Sequence, residues 1–134
     1  MVVADSSGLP IGVHTASARP HEARLAQETV DEIVTLGQPR RIIGDRAYDS
    51  DPLDAALDSK GIALIAPHRK NRKKAPTQDG RALRRYRKRW KIERLFAWLT
   101  AFRRVITRWD NCCERYTGFV HLAFSLILLR EIAT

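Results

Sequence analysis

The fold is decided by residues 41–66, which read RIIGDRAYDSDPLDAALDSKGIALIA. The short β-branched run Arg41–Gly44 predicts a strand, and the apolar run Ile62–Ala66 predicts another. Between them, Asp51 is followed by a proline and is typical of the residue that caps a helix, while Gly61 is typical of a helix end. Two strands joined by a helix of this length form a right-handed parallel βαβ unit, so the predicted fold class is α/β or α+β.

Upstream of this unit the sequence predicts a β-hairpin and a helix. Met1–Ala4 and Leu9–Thr15 are extended runs, and Asp5–Gly8 between them has the composition of a turn. After Pro20, apolar residues recur at helical spacing until Gly37, which predicts an amphipathic helix. The apolar positions of that helix are Leu25, Thr29 or Val30, Ile33 and Leu36.

Downstream of the unit the sequence predicts a basic loop and two long helices. The loop between Pro67 and Gly80 has no apolar periodicity. A helix is predicted from about residue 81 to residue 107, and a final helix, roughly Glu114–Ile132, is apolar on nearly all faces, so we expect it to be buried against a sheet or a partner chain. A chain of 134 residues has room for one domain, 1–134. The apolar stripe of the helix predicted over residues 81–107 is Ile92, Leu95, Phe96, Leu99, Phe102 and Ile106.

The positive charge of the chain is concentrated in one segment. There are 24 Lys and Arg against 15 Asp and Glu, which gives a formal net charge of +9. Residues 69–94 hold 13 of these cations and only two acids, Asp79 and Glu93, so the rest of the chain is close to neutral. A basic segment of this kind predicts a polyanionic partner, with nucleic acid first and an anionic membrane surface second.

Composition and cysteine use restrict the class of protein further. Apolar residues make up 44% of the chain and charged residues 29%, which is typical of a folded soluble domain and argues against disorder and against membrane spanning. The apolar run Phe119–Leu129 is too short to cross a bilayer. Cys112 and Cys113 are adjacent, and neighbouring cysteines rarely reach disulfide geometry with each other. We therefore expect a reducing, cytoplasmic setting.

Two acidic residues are candidates for chemistry. Asp45 directly follows a short apolar strand, and open α/β sheets bind ligands at the carboxyl ends of their strands. Spacing alone favours the alternative that Asp45 is a turn or capping residue. Glu93 lies in a cationic helix, where it either forms an i,i+4 ion pair with Arg89 or provides negative charge at a site that binds a polyanion. Spacings of three and four residues place Tyr86, Arg89 and Glu93 on one helical face.

These residues resemble the DDE transposases of bacterial insertion sequences. The run Gly44–Asp49, which reads GDRAYD, is similar to the second-acid motif of that family, and Tyr86-x2-Arg89-x3-Glu93 is similar to its third-acid signature. The resemblance covers essentially the whole chain and corresponds to the C-terminal part of the catalytic domain. It implies a ribonuclease H-like α/β fold with long C-terminal helices. It also implies three carboxylates that hold two Mg²⁺ ions for phosphodiester chemistry.

The same resemblance implies roles for individual residues. Asp45 and Glu93 correspond to catalytic acids that bind metal, and Tyr86 and Arg89 would position the phosphate and Glu93. Residues 69–74 hold five cations in six positions, which suits contacts with the DNA backbone better than a merely solvated face. The predicted DNA-binding residues are Arg69, Lys70, Arg72, Lys73, Lys74, Tyr86, Arg89 and Trp90, the last by stacking on a base.

Two departures from the family pattern affect these expectations. The first acid of the family lies on a strand upstream of the hairpin with which this sequence begins, so we expect the sheet to be incomplete, with its first strand missing. Asp5 is an alternative first acid, although its context is that of a turn. The family has a Lys seven residues after Glu93, where this chain has Thr100, so Arg103 or Arg104 would have to supply that contact.

The favoured function is DNA cleavage and strand transfer at transposon ends, with double-stranded DNA and Mg²⁺ as partners. The alternative is a catalytically inactive, truncated transposase remnant that only binds DNA, and a weaker third interpretation is a basic module that binds RNA. The missing first acid separates the first two interpretations. Because unpaired strand edges invite pairing with another chain, we also expect a homo-oligomer or a complementary upstream fragment, and an isolated chain that does not cleave DNA.

Overall fold

A computed structural model describes residues 1–16, 22–35, 37–78 and 80–133. Within these ranges the chain forms a mixed α/β arrangement of short strands, helices and 3₁₀ segments. The strands are β1 (Val2–Ala4), β2 (Pro10–Val13), β3 (Arg41–Ile43) and β4 (Ala63–Ile65). The α-helices are α1 (Glu22–Asp31), α2 (Asp51–Asp58), α3 (Gly80–Leu83), α4 (Trp90–Leu99), α5 (Arg103–Ile106) and α6 (Cys113–Ile132), and the 3₁₀ segments are Arg46–Tyr48 and Arg84–Arg89.

The predicted hairpin is confirmed, because β1 and β2 pair antiparallel. Its turn is closed by Asp5, whose Oδ1 accepts the backbone N–H groups of Ser7 at 2.8 Å and Leu9 at 2.9 Å. Gly8 follows with φ +89°, a left-handed conformation that favours glycine. Asp5 therefore has the turn role that its sequence context predicts.

The predicted βαβ unit is also confirmed, because β3 and β4 pair parallel and α2 connects them. The start of α2 differs by one residue from the expectation: Asp51 is the first helical residue, and Ser50 is the residue that precedes the helix. The cause is that the N–H of Asp54 donates to the carbonyl of Ser50 at 2.9 Å, so the helical hydrogen bonds begin there. Gly61, at φ +74°, ends the turn after the helix as predicted.

Helix α1 ends at Asp31, earlier than the apolar periodicity predicts. Residues 33–35 are all β-branched, which weakens a helix. In addition, the N–H of Val34 donates to the carbonyl of Ile11 at 3.0 Å, so this backbone bonds to the hairpin instead of continuing the helix. Leu36, the last predicted position of the helix, lies outside the described residues.

The continuous helix expected over residues 81–107 is wrong. The structure divides this stretch into α3, the 3₁₀ segment 84–89, α4 and α5. The segment 84–89 reads RRYRKR, and like charges three and four residues apart destabilise an α-helix. A second break occurs at Phe102, whose backbone is extended (φ −99°, ψ 98°) and whose side chain packs against the core.

The buried residues form two hydrophobic clusters, which correspond to two separate two-stranded sheets among the described strands, β1–β2 and β3–β4. The hairpin cluster joins β2, α4 and α6, and the second cluster, the βαβ cluster, joins α2 and β4. The hairpin cluster is Val13, Leu95, Leu99, Val120, Ala123, Phe124 and Ile127. The βαβ cluster is Leu53, Leu57, Ile62, Leu64 and Ala66.

Helix α6 packs one face against the hairpin sheet, as expected of a helix buried against a sheet, and leaves its other face exposed. Val120, Phe124 and Ile127 belong to the hairpin cluster. On the other side, Leu122 is 57% exposed and Leu129 is 59% exposed. Across the described ranges, the structure contains no helix with the length and apolar character needed to cross a bilayer.

Candidate metal and nucleic-acid site

Asp45 lies at the carboxyl end of β3. The ladder to β4 continues through Gly44, whose N–H donates to the carbonyl of Ile65 at 2.9 Å, and Asp45 is the next residue. Its Oδ1 accepts the N–H of Ala47 at 2.8 Å, which caps the following 3₁₀ segment. Asp45 therefore combines the two interpretations that the sequence left open, since it caps a turn and also lies where α/β sheets bind ligands.

Gly44 is required by a close approach of an aromatic ring. A Cβ atom at this position would lie 2.8 Å from Cδ2 of Tyr48, closer than real Cβ contacts. Tyr48 in turn packs against the βαβ cluster. The short GDRAY stretch thus folds back on itself, and this packing fixes the backbone on both sides of Asp45.

Tyr86, Arg89 and Glu93 form a chain of hydrogen bonds along one face. Arg89 donates through Nη1 to the Tyr86 hydroxyl at 2.9 Å and through Nη2 to Glu93 Oε1 at 2.8 Å. The shared face predicted from the spacing is confirmed, and so is the i,i+4 ion pair. A 3₁₀ segment has three residues per turn, so Tyr86 and Arg89 are eclipsed, and the α-helical step of four residues then brings Glu93 into line. The Glu93 side chain is 58% exposed.

The segment that carries Tyr86 and Arg89 lies against β3. This contact joins the segment that begins the Tyr86–Arg89–Glu93 chain to the strand that precedes Asp45, although the motifs of Asp45 and Glu93 are 48 residues apart in sequence.

The basic loop, residues 69–74, is folded onto the region that follows Asp45. The Arg69 guanidinium donates to the carbonyl oxygens of Arg46 at 3.1 Å and Ala47 at 2.7 Å, both in the 3₁₀ segment. Arg72 and Lys74 both bond to Asp51, at 2.8 and 3.0 Å. Arg69, Arg72 and Lys74 therefore have acceptors within the chain, while Lys70 and Lys73 are exposed.

Asp49 is the centre of this arrangement, with a side chain only 6% exposed. Its Oδ1 accepts from Arg72 at 2.8 Å and from His68 Nδ1 at 2.9 Å, and its Oδ2 accepts the N–H of Arg69 at 2.7 Å. Desolvation raises the pKa of Asp49, but the bonds from Arg69 and His68 and the charge of Arg72 outweigh it, so the pKa lies below its ordinary value. The N–H of Thr77 donates to His68 Nε2, which requires the proton of a neutral His68 to be on Nδ1.

Trp90 lies at the start of α4 and is 51% exposed. The Arg94 guanidinium lies 5.1 Å from its ring centroid. Arg94 also donates to the carbonyl of Ser7 at 2.5 Å, and Lys91 bonds to the carbonyl of Ser6, so α4 holds the hairpin turn. Trp90 keeps an accessible ring, and its contact with a base stays a prediction.

Sequence reasoning missed two sets of residues in this region. The first consists of the acids outside the basic loop that accept its hydrogen bonds. No local spacing identifies them, because each acid lies about 20 residues from its cation. The second is a group of exposed cations in the 3₁₀ segment, whose signal was the dense charge of RRYRKR. These cations are Arg84, Arg85, Arg87 and Lys88.

These features define a class of protein, an α/β domain that combines a half-buried carboxylate, Asp45, and an exposed one, Glu93, with a strongly cationic surface. The comparisons with known proteins give the family. The model of the family described as "Transposase DDE domain" matches residues 1–129, so the chain belongs to this family.

Two relatives support the same assignment. "Putative transposase for insertion sequence element IS402" from Burkholderia cepacia is 29% identical over 134 residues, and "Putative transposase for insertion sequence element IS6501" from Brucella ovis is 32% identical over 130 residues. The matches cover 94% and 96% of this chain. They span 60% of the length of the Burkholderia protein and 95% of the Brucella protein. No solved structure matches the chain.

Members of this family generally use divalent metal ions, and the acids present can be tested against that chemistry. Mg²⁺ prefers oxygen ligands and is commonly bound by one or two carboxylates together with water and phosphate oxygens. Asp45 and Glu93 provide such oxygens, and each has one carboxylate oxygen engaged by a described partner. Within the described ranges, no group of three or more His, Cys, Asp or Glu side chains is placed to hold a metal. The donor chemistry therefore fits Mg²⁺, with two acids rather than three.

Proposed function

We propose that this chain supplies two of the three metal-binding acids and a DNA-binding surface of a transposase that cleaves and transfers strands at transposon ends. The observation that carries the proposal is the contact of segment 84–89 with β3. It supports the proposal that the Tyr86–Arg89–Glu93 chain and Asp45, at the end of β3, face one site. Membership of the DDE transposase family supports the same reaction class.

The proposed fold is a ribonuclease H-like sheet whose first strand comes from outside residues 1–134. The separation of β1–β2 from β3–β4 supports this proposal, because one further strand between the two pairs would join them into one sheet. Such a strand would carry the first acid to the same edge as Asp45. A complementary upstream fragment would supply it.

The residues of this chain would prepare the site for catalysis by orientation. The N–H of Ala47 fixes one oxygen of Asp45, and Arg89 fixes one oxygen of Glu93 while the Tyr86 hydroxyl holds Arg89. Mg²⁺ bound by Asp45 and Glu93 would activate an attacking hydroxyl and stabilise the leaving oxygen of a phosphodiester. The guanidinium of Arg89 also offers positive charge beside the third acid, where a phosphate would lie.

The DNA backbone would be bound by cations that have no acid partner among the described residues. Lys70 and Lys73 are exposed on the basic loop, and Trp90 is accessible for base stacking. The exposed cations of segment 84–89 extend this surface beyond the residues predicted from the sequence. They are Arg84, Arg85, Arg87 and Lys88.

A specific observation favours the alternative, a DNA-binding remnant without catalytic activity. Glu93 is 58% exposed and is engaged by Arg89, which is what a surface ion pair on a helix requires. The described residues also contain no three-acid cluster. Both proposals predict DNA binding, and only the first predicts that Asp45 and Glu93 hold one metal ion together.

Metal binding separates these two proposals. We expect Mn²⁺, titrated into the chain and followed by electron paramagnetic resonance, to bind at least about tenfold more weakly to Asp45→Asn and to Glu93→Gln than to the parent chain. Asp58→Asn is the matched control, because Asp58 is an exposed acid at the end of α2. If all three variants bind Mn²⁺ like the parent, the catalytic proposal is wrong and the DNA-binding remnant is favoured.

DNA binding is tested by a salt titration. If about six to eight cations meet phosphates, the affinity for duplex DNA falls by roughly three to five decades between 50 and 200 mM salt. Fluorescence anisotropy with labelled duplexes of different sequence measures both this slope and the sequence preference. A flat response would reject both proposals, and a strong preference for RNA of the same length would favour an RNA-binding module.

A further inference from the structure

The cations of the basic loop are divided between two environments. Arg72 has an 11% exposed side chain and bonds to both Asp49 and Asp51, each at 2.8 Å. Lys70 and Lys73 are exposed. The loop therefore contains cations that are part of the folded structure and cations that are available to a partner.

The bonds that hold the loop converge on Asp49. Its carboxylate accepts one backbone N–H and two side-chain donors, all from residues 68–72. The loop is 20 to 23 residues away in sequence, so these bonds, and not local structure, determine where it lies. A carboxylate that is 6% exposed and accepts three hydrogen bonds from one loop fixes the conformation of that loop.

The loop is also joined directly to the turn after Asp45. Arg69 donates its backbone N–H to Asp49 and its guanidinium to the carbonyls of Arg46 and Ala47. Ala47 is the residue whose N–H caps Asp45. The basic loop and the candidate metal-binding acid therefore share one hydrogen-bonded unit.

We propose that Asp49 is a positioning residue for DNA binding, whose carboxylate folds the basic loop against the end of β3 and so holds Lys70 and Lys73 beside Asp45. This inference rests on the proposed function, since it assigns the loop to the DNA of the same site. Without the carboxylate, the loop would have to be ordered when DNA binds, and that ordering lowers the affinity.

The sign of the effect distinguishes positioning from simple electrostatics. Asp49→Asn removes a negative charge from a DNA-binding surface, so charge alone makes the affinity for DNA higher. Positioning makes the affinity lower. Asp58→Asn changes the net charge by the same amount at an exposed site outside the loop contacts, and it serves as the matched control.

The first measurement is the affinity for a labelled DNA duplex at about 100 mM salt, normalised to the folded fraction from circular dichroism. We expect Asp49→Asn to bind about tenfold more weakly than the parent chain, and Asp58→Asn to bind equally or more tightly. Equal affinities of the two variants would overturn the proposal. If Asp49→Asn does not fold, Asp51→Asn is used instead, since Asp51 bonds to Arg72 and Lys74 with a more exposed side chain.

The second measurement is a double-mutant cycle with Lys70→Ala plus Lys73→Ala. We expect these lysine changes to weaken DNA binding in the parent chain and to have a much smaller effect in the Asp49→Asn background, because the lysines are then no longer positioned. Additive effects would show that Asp49 acts on stability alone and would overturn the proposal.

The third measurement, limited trypsin digestion, tests the order of the loop without DNA. We expect cleavage after Lys70 and Lys73 to be at least about tenfold faster in Asp49→Asn than in Asp58→Asn. If the parent chain does not bind DNA, the proposed function fails, and the cleavage rates alone then decide whether Asp49 orders the loop. Unchanged cleavage would overturn the positioning role.

Discussion

The two basic regions of the molecule, the loop 69–74 and the segment 84–89, carry the same number of cations and use them differently. Each has five cations in six residues. In the loop, acids and carbonyl groups of the chain bind Arg69, Arg72 and Lys74. In the segment, the acid partner that the structure gives is Glu93, which binds Arg89. Cations that bond within the chain stabilise the folded structure, and cations that have no acid partner among the described residues give this surface its positive potential.

The two regions also differ in backbone structure for this reason. The loop has no regular structure, but its side chains fix it through the carboxylates of Asp49 and Asp51. The segment 84–89 has regular 3₁₀ structure next to the α-helix that begins at Trp90. Its cations recur three residues apart and therefore lie close together, and binding of phosphates to the segment would relieve their mutual repulsion.

The largest expected effect is on DNA binding, when the exposed cations of the segment that have no acid partner among the described residues are replaced. We expect replacement of its four exposed cations by Gln to reduce the slope of log affinity against log salt by about 3.6, so that the parent loses roughly 100-fold more affinity than the variant between 50 and 200 mM salt. Anisotropy titrations at several salt concentrations measure the slope. The four positions are Arg84, Arg85, Arg87 and Lys88.

A control for this variant removes two cations outside the basic regions. Lys60 is bound to Asp31 at 2.5 Å, and Arg24 forms an i,i+4 pair with Glu28. Replacing both by Gln lowers the net charge without touching the proposed DNA surface, and we expect a change in slope well below 1. If each charge removed in this control lowers the slope as much as each charge removed in the quadruple variant, the field of the whole chain and not the segment determines binding.

The success of prediction from the sequence depends on whether a local sequence pattern specifies the interaction. The hairpin and the βαβ unit are specified by patterns of strands, turns and helix ends, and the alignment of Arg89 with Glu93 is specified by a spacing of four residues. The contacts of Asp49 with the loop were not predicted, because no pattern specifies which cation reaches a carboxylate 20 residues away. The break at Phe102 was missed because apolar periodicity continues through it, and the break at residue 84 was missed because like-charge repulsion there leaves no mark in the apolar pattern.

The second effect is on stability and its dependence on pH. Asp49→Asn leaves buried donors of the loop without a charged acceptor, and we expect it to lower the free energy of unfolding by about 2 kcal/mol at neutral pH. Because the pKa of Asp49 is below its ordinary value of 3.8, this stabilisation is present above pH 3.8 and is lost as the pH falls through the lowered pKa. Urea denaturation at pH 7 and near pH 3 measures the difference.

Asp54 provides a control of opposite sign. Burial raises its pKa above 3.8, so its protonated form is favoured in the folded state, and its contribution to stability is lost as the pH rises through the raised pKa. We expect Asp54→Asn to be relatively more stable at neutral pH than in acid, and Asp49→Asn to show the reverse. If the stability of both variants relative to the parent changed with pH in the same direction, the contacts of Asp49 with the basic loop would not be what stabilises the fold.

A smaller effect is expected from the exposed cations of the loop. We expect Lys70→Ala combined with Lys73→Ala to reduce the salt slope by about 1.8, which corresponds to roughly tenfold in affinity between 50 and 200 mM salt. The stability of this variant should match that of the parent, because the two side chains are exposed. A large loss of stability without a change in slope would mean that Lys70 and Lys73 stabilise the fold and do not contact DNA.

The smallest effect is expected at the ion pair of the segment, and it separates a site residue from a structural one. The side chains of Arg89 and Glu93 are 43% and 58% exposed, and ion pairs of this kind contribute about 0.3 to 0.5 kcal/mol. We therefore expect Glu93→Gln to change the free energy of unfolding by no more than about 0.5 kcal/mol, and by less in 1 M salt. Urea denaturation at low and high salt measures this change. A loss greater than about 1 kcal/mol would mean that the fold depends on Glu93, whereas a negligible loss allows any large drop in Mn²⁺ affinity to be assigned to the site itself.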